Sequence, residues 1–380
     1  MDLMKKALLF VAGFVALLWV SLSPSYETYA VQGLSQLEKT TVKVATYNVA
    51  AGRGTDGTYN LERIATAIEN TGADIIGLQE IDVHWGDRSN NDNMVALLAE
   101  RLDMEYYFAP IYDFAPVDEG EPRRQFGVAV LSKYPITDAA NREIARLSTQ
   151  DPDPVPKPAP GFLEAQINVD GSEVAFYVTH LDYRADPIVR EMQVADMKEI
   201  MAAHTYSILV GDMNARPEAL ELQPLFQKYA DAWKWSVEED GYTYPAASPD
   251  RRIDYVFASP RIEVHSATKM SSQAADHLPV VAEVSLIEGS HSYNLEGTEW
   301  LVDHFIEHGD IQGTETSTLL HNHLRALNYY KRQGKNEKLV KHLQGITVLL
   351  DYEKEKGHIS GKAWEELSSD IDYFKEKWNQ

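Results

Sequence analysis

The sequence predicts a large α/β (α+β) domain over residues 42–288, followed by a small all-α bundle over residues 296–380. Three observations carry this. Short apolar runs bounded by turn residues alternate with segments of helical period in the first region, and the helical period takes over beyond about residue 290. A chain of 380 residues, 44% of them hydrophobic, is also long enough for a substantial core and a second, smaller one.

At the N-terminus, Lys5 and Lys6 precede the apolar run Ala7–Val20, and Thr28-Tyr29-Ala30 offers small residues for cleavage. Residues 1–30 therefore read as a bacterial export signal, with the protein secreted or held at the cell surface. The run is short for a membrane span, and an uncleaved anchor is the alternative reading. A polar linker occupies residues 31–41. Thr41–Val49 is rich in β-branched residues and reads as a strand, whereas Leu61, Ile64, Ala65 and Ile68 mark a helix over Leu61–Asn70. Asp74–Ile81 has the continuous apolar character of a buried strand, and Asn93–Leu102 is helical. Gly127–Ser132, Glu173–Thr179, Ser207–Val210, Ile253–Ala258 and Leu278–Val284 supply further strands, and Arg190–Ala203 a helix. Ala115–Gln125 and the proline-rich Asp151–Gly161 are expected to be irregular loops at the rim of a site. In the bundle, helices are expected over Glu299–His308, Thr316–Gln333, Glu337–Glu355 and Gly361–Trp378. Leu339, Leu343, Ile346 and Leu350 form one apolar stripe.

The absence of cysteine excludes disulfides, thiolate metal sites and a cysteine nucleophile. With 35 basic against 58 acidic residues the formal charge is -23, which disfavours nonspecific binding to duplex nucleic acid. No run of basic residues interleaved with aromatics offers a track for a nucleic-acid backbone.

Asn48, Glu80, Asp212, Asn214 and the Asp276-His277 pair each sit at the end of an apolar run or beside one. Any one of them reads most simply as a turn cap. Together they lie where the loops of a layered sheet converge on a site. Glu80 and Asp276 are hard oxygen ligands suited to Mg²⁺, and His180 and His277 can donate to phosphate or transfer protons near neutral pH.

Seven motifs then follow in order. They are Thr46-Tyr47-Asn48, Gly77-Leu78-Gln79-Glu80, Gly127–Ser132, Thr179-His180-Leu181, Gly211-Asp212-Met213-Asn214, Arg252-Ile253-Asp254-Tyr255 and Asp276-His277. This series resembles the endonuclease/exonuclease/phosphatase superfamily, which has the fold of deoxyribonuclease I. The resemblance implies a four-layer α/β/β/α sandwich and a metal-dependent phosphoester hydrolase. It further implies that Asn48 and Glu80 hold Mg²⁺ (Mn²⁺ serving as a substitute), with Asp276 as a further carboxylate beside the metal. Asp212 and Asn214 would position the attacking water and contact phosphate. His277, oriented by Asp254, would act on phosphate or water, and His180 would stabilise the transition state or assist the leaving group. Which histidine is acid and which is base stays open. Arg184, Arg190 and Arg123 are candidate substrate contacts, with Arg190 and Gln193 at least as readily read as solvated helix residues.

The segments Val83-His84-Trp85-Gly86 and His180-Leu181-Asp182-Tyr183-Arg184 resemble a bacterial subfamily similar to the hydrolase-like domain of eukaryotic proteins that remodel glycosylphosphatidylinositol lipids. With the acidic charge, this tilts the expected substrate towards a lipid-linked, inositol-type or small phosphate. A secreted nuclease acting on DNA or RNA is the alternative, and a catalytically inactive binding protein a third reading. The terminal bundle resembles helical modules of exported Gram-positive proteins, which points to attachment to a cell surface or a protein, with a stabilising appendage packed on the catalytic domain as the alternative.

Two motifs are expected to mislead. Gly52–Gly57 matches a dinucleotide-binding fingerprint but precedes its helix rather than opening it, and His304–His308 matches an inverted zinc-protease motif within a terminal bundle too small to be such a protease. His321 and His323, two apart on one helix, are expected to be exposed or partly packed.

Overall fold

The computed structural model describes residues 39–287 and 294–378. The expected export signal lies outside the described residues, as does all but the end of the linker. The strands are β1 (Lys39–Asn48), β2 (Ile75–Val83), β3 (Glu105–Phe114), β4 (Arg124–Ser132), β5 (Ile136–Arg146), β6 (Lys157–Val169), β7 (Ser172–His180), β8 (Ser207–Asp212), β9 (Ala230–Asp231), β10 (Asp254–Ala258), β11 (Glu263–Lys269) and β12 (Val280–Ile287). The helices are α1 (Leu61–Thr71), α2 (Met94–Leu102), α3 (Ile188–Met201), α4 (Gln223–Lys228), α5 (Leu295–Glu307), α6 (Thr314–Arg332), α7 (Asn336–Glu355) and α8 (Gly361–Trp378).

Two six-stranded sheets form, ordered β11-β12-β1-β2-β4-β3 and β5-β6-β7-β8-β10-β9. Val44, Val128 and Val130 of the first pack against Phe176, Val178 and Ile208 of the second. On the outer faces, Ile64, Ile68 and Leu98 of α1 and α2 cover the first sheet, and Val194, Met197 and Leu225 of α3 and α4 cover the second. This is the predicted α/β/β/α sandwich. β2 is buried on both faces, which is why it reads as a continuous apolar run instead of an alternating one.

The two sheets share one plan. Each has a parallel pair at its centre, β1–β2 and β7–β8, so the carboxyl ends of four strands point towards one edge of the sandwich. At Gly77 a Cβ would come within 2.4 Å of Val210 Cγ2, so only glycine lets the sheets approach this closely between the two pairs.

One loop expectation is overturned. Asp151–Gly161 is irregular only as far as Pro156, because β6 begins at Lys157 and carries two prolines. β6 pairs with β5 there, Ala145 opposite Pro158, while pairing with β7 starts only at Leu163. The proline segment thus has a partner on one side only, where a missing N–H is tolerated. Likewise the Ala115–Gln125 loop is shortened by β4, which starts at Arg124. β5 is an edge strand with a largely polar, exposed sequence, and it gave no periodic signal.

The four terminal helices bury Leu301, Phe305, Leu324, Leu343, Ile346 and Phe374 in a core of their own. They are tied to the sandwich by Arg261, which is 1% exposed and donates to Asp370 at 2.5 Å and to Glu366 at 3.3 Å.

A candidate active site at the carboxyl ends of the parallel pairs

The site is set by strand register. His180, Asp212 and Asp254 end or begin neighbouring strands and lie opposite one another across β7, β8 and β10. Gly211 permits this row, because a Cβ there would meet the Thr179 carbonyl oxygen at 2.2 Å. In the other sheet Asn48 ends β1 opposite Gln79. The β2–β4 register shifts between Leu78 and Ile81, and Glu80 within this bulge has φ 58°. A bulge re-aims a side chain out of the ladder, and here it frees Glu80 for the site.

Asn48 Nδ2 donates to Glu80 Oε1 at 3.2 Å and to Asp212 Oδ2 at 3.1 Å, while its Oδ1 accepts from Ala50 N. Asp212 Oδ1 accepts from Asn214 N at 2.8 Å. The Asn214 side chain donates to the Leu181 carbonyl, so it braces the loop after β7. Asp212 Oδ2 lies 3.6 Å from Nε2 of both His180 and His277. On its other side His277 Nδ1 donates to Asp254 Oδ2 at 2.9 Å, an oxygen that also accepts from Thr243 Oγ1 at 2.5 Å. The Tyr244 ring packs against the imidazole at 4.7 Å.

Electrostatics separate the two histidines. Burial disfavours charge on His277, but Asp254 and Asp212 outweigh it and raise its pKa to about 10. Burial prevails at His180 and holds it below the ordinary value despite Asp212. Burial also pushes Glu80 and Asp212 up, Glu80 with a further push from Asp276.

Asp212, Asp254 and His277 offer ligand atoms within 4.8 Å of one another. In that trio His277 already spends Nδ1 on Asp254, which leaves Nε2 as its one remaining ligand atom. A second grouping has the chemistry of a hard cation site. Glu80 and Asp212 converge on one amide, and Asp276 adds a third carboxylate whose charge is felt at Glu80. Oxygen donors crowded together in this way suit a divalent cation.

The three arginines expected at the substrate are otherwise engaged. Arg190 is 5% exposed and spends its donors on Glu221 and on the carbonyls of Asp182 and Arg184, so it braces the β7–α3 loop. Gln193 supports the same loop by accepting from Asp182 N. Arg184 pairs with Asp182 and donates to the carbonyls of Leu147 and Ser148, and the exposed Arg123 pairs with Asp113. Sequence reasoning missed Arg146 at the end of β5. Its guanidinium donates to the carbonyls of His180 and Gly161 and has no carboxylate partner among the described residues. Burial lowers its pKa to about 10. The cue was a lone arginine closing a polar strand, too common a pattern to single out.

The glycines of 52–57 lie in the turn before α1, which starts after the Asn60 cap, as expected. His304 is buried against Trp300 and Phe305, and His304–His308 belongs to no group of three metal-ligating residues among the described residues. His321 pairs with Asp303, and His323 packs against His342.

This fold and its histidine–carboxylate edge define a hydrolase of the deoxyribonuclease I-like class. Residues 45–277 match the Endonuclease/Exonuclease/phosphatase family, and the chain belongs to that family, whose members are phosphoester hydrolases that usually use a divalent metal. Residues 295–376 match the FIMAH domain. Among solved structures, an endonuclease/exonuclease/phosphatase from Beutenbergia cavernae is 23% identical with TM-score 0.55, over 65% of this chain and 72% of that one. A second, from Bacteroides vulgatus, is 19% identical with TM-score 0.51, over 66% of this chain and 100% of that one.

Proposed function

We propose that the protein is an exported Mg²⁺-dependent phosphoesterase acting on a lipid-linked, inositol-type or other small phosphate, with Mn²⁺ able to replace Mg²⁺. The observation that carries the catalytic reading is the gathering of Asn48, Glu80, Asp212, Asp254, His180 and His277 at one edge, each anchored by a neighbour. Asn48 and Glu80, with Asp276 beside them, would hold the cation. When bound, it neutralises phosphate charge and the charge that develops on the leaving oxygen. Asp212 orients the attacking water and takes its proton as the new P–O bond forms and the bond to the leaving group breaks. His277, fixed by Asp254, donates to a phosphate oxygen, and His180, whose Nε2 lies as close to Asp212 Oδ2 as that of His277, stabilises the transition state or assists the leaving group. Arg146 adds positive charge beside the His180 carbonyl.

Support for a small or lipid-linked substrate comes from the formal charge of -23 and from the engagement of Arg123, Arg184 and Arg190 in internal pairs. The terminal helices would serve attachment at the cell surface. The test is a substrate panel with Mg²⁺. We expect turnover of bis-p-nitrophenyl phosphate that chelation abolishes, and faster release from phospholipids or inositol phosphates than from plasmid DNA. Faster release of acid-soluble nucleotides would make it a nuclease, and no turnover with any divalent metal would make it a binding protein.

A further inference from the structure

A cleft of about 870 Å³ lies between the sandwich and the terminal helices, away from the site described above. Five lysines line it: Lys198 on α3, Lys228 on α4, Lys234 after β9, Lys354 on α7 and Lys362 on α8. In a chain with 58 acidic and 35 basic residues, only two carboxylates face them. Lys228 pairs with Glu365 at 3.6 Å and Lys362 with Asp310 at 2.6 Å. Lys198, Lys234 and Lys354 have no carboxylate partner among the described residues, and Lys234 and Lys354 are exposed. Two part-exposed indoles stand among them. Trp364 carries the Lys354 ammonium 3.3 Å from its ring centroid and is fixed by a hydrogen bond to Asp351, and Trp235 leans on His308.

We propose that this cleft binds an acidic glycan, a chain of sugar rings bearing carboxylate or phosphate groups. The three ammonium groups without a carboxylate partner come from three separate elements, so they suit charges distributed along a chain better than one compact anion. Lysine is a flexible point charge without the planar fork of arginine, and it tolerates carboxylate or phosphate in varied orientation. Part-exposed Trp235 offers apolar surface to the C–H faces of sugar rings, while the Trp364 ring already carries the Lys354 ammonium. The volume matches a few such rings. The chain's net charge repels a duplex nucleic acid.

The test titrates the full chain with oligogalacturonate, a phosphomannan fragment, neutral dextran and a thymidine oligonucleotide, following tryptophan fluorescence and calorimetry. Binding of oligogalacturonate or phosphomannan is expected, weakening steeply with salt, with dextran silent. Which of the two binds tells carboxylate from phosphate. The Lys198→Glu, Lys234→Glu, Lys354→Glu triple variant should lose affinity at least tenfold while hydrolysing bis-p-nitrophenyl phosphate at the wild-type rate, which also reports its folding. Binding of neither acidic glycan overturns the proposal. So does affinity indifferent to salt or to the triple substitution, or an oligonucleotide that binds as tightly as the glycans.

Discussion

Asn48, at the end of β1, donates to Asp212, at the end of β8, over 3.1 Å, and so joins the carboxyl edges of the two sheets at a single amide. The same amide nitrogen serves Glu80, and burial raises the pKa of both carboxyls. Asn48→Ala removes the donor that both carboxylates share. A lost hydrogen bond to a buried charged group costs about 1–3 kcal/mol. Hydrolysis of bis-p-nitrophenyl phosphate should fall at least tenfold, and the Mg²⁺ concentration for half-maximal rate should rise. An unchanged metal requirement would remove Asn48 from the cation site.

Asp254 holds His277 through Nδ1 and is itself held by Thr243. Asp254→Asn keeps the shape but removes the charge that fixes the ring's protonation. By analogy with other histidine–carboxylate pairs, kcat should fall on the order of a thousandfold. His277→Ala and Glu80→Ala should each nearly abolish turnover while circular dichroism stays native. A folded Glu80→Ala variant with full activity would end the metal assignment.

These residues were legible because polar side chains interrupt apolar strands at their ends, and strand ends converge in a layered sheet. Asn48, Glu80, His180, Asp212 and His277 therefore stood out once taken together, whereas Asp254 was reached only through the resemblance of the motif series. What the sequence could not show was how Glu80 is delivered, since a bulge arises from pairing with β4 and leaves no local pattern. Arg190 misled for a related reason. Its partner Glu221 lies 31 residues away, and nothing nearby signals that the guanidinium is buried. The strands read as apolar runs were found, and the edge strand β5 was not, because its exposed face carries polar residues.

Arg146 donates to the carbonyls of His180 and Gly161 and has no carboxylate partner among the described residues. If its charge is felt by the substrate phosphate, Arg146→Met should raise KM severalfold while changing kcat less. A purely structural role would instead lower the thermal midpoint and leave KM unaltered. Steady-state kinetics and thermal melts on the same preparation separate the two, and partial rescue of KM by Arg146→Lys would confirm that charge is what matters.

Arg261 is fully enclosed with Glu366 and Asp370, and burial raises the pKa of both acids against its pull. Removing one member of such a cluster strands the others, at a cost of about 3–5 kcal/mol. Arg261→Met should therefore release the terminal helices from the sandwich, seen as faster limited proteolysis within residues 294–378. Replacing all three residues with apolar ones of similar size should restore much of the stability, because the desolvation cost disappears with the charges.

His304 makes acid stability a property of the terminal helices. The ring is buried beside Trp300 and Phe305, and burial lowers its pKa to about 3, helped by His308 and Lys362 and opposed by Asp310. Lys39 of β1 adds a weaker push in the same direction. In the unfolded chain the same imidazole takes up a proton near pH 6.5. Between those values the unfolded state binds a proton that the folded state refuses. Stability from the neutral ring is thus complete above about pH 6.5 and declines as pH falls towards 3, by up to about 1.4 kcal/mol per unit. His304→Phe keeps the packing and removes the titration. Melting both proteins at pH 7 and pH 5 should show a clearly larger loss of midpoint for the wild type, and equal losses would mean that His304 is protonated in the fold.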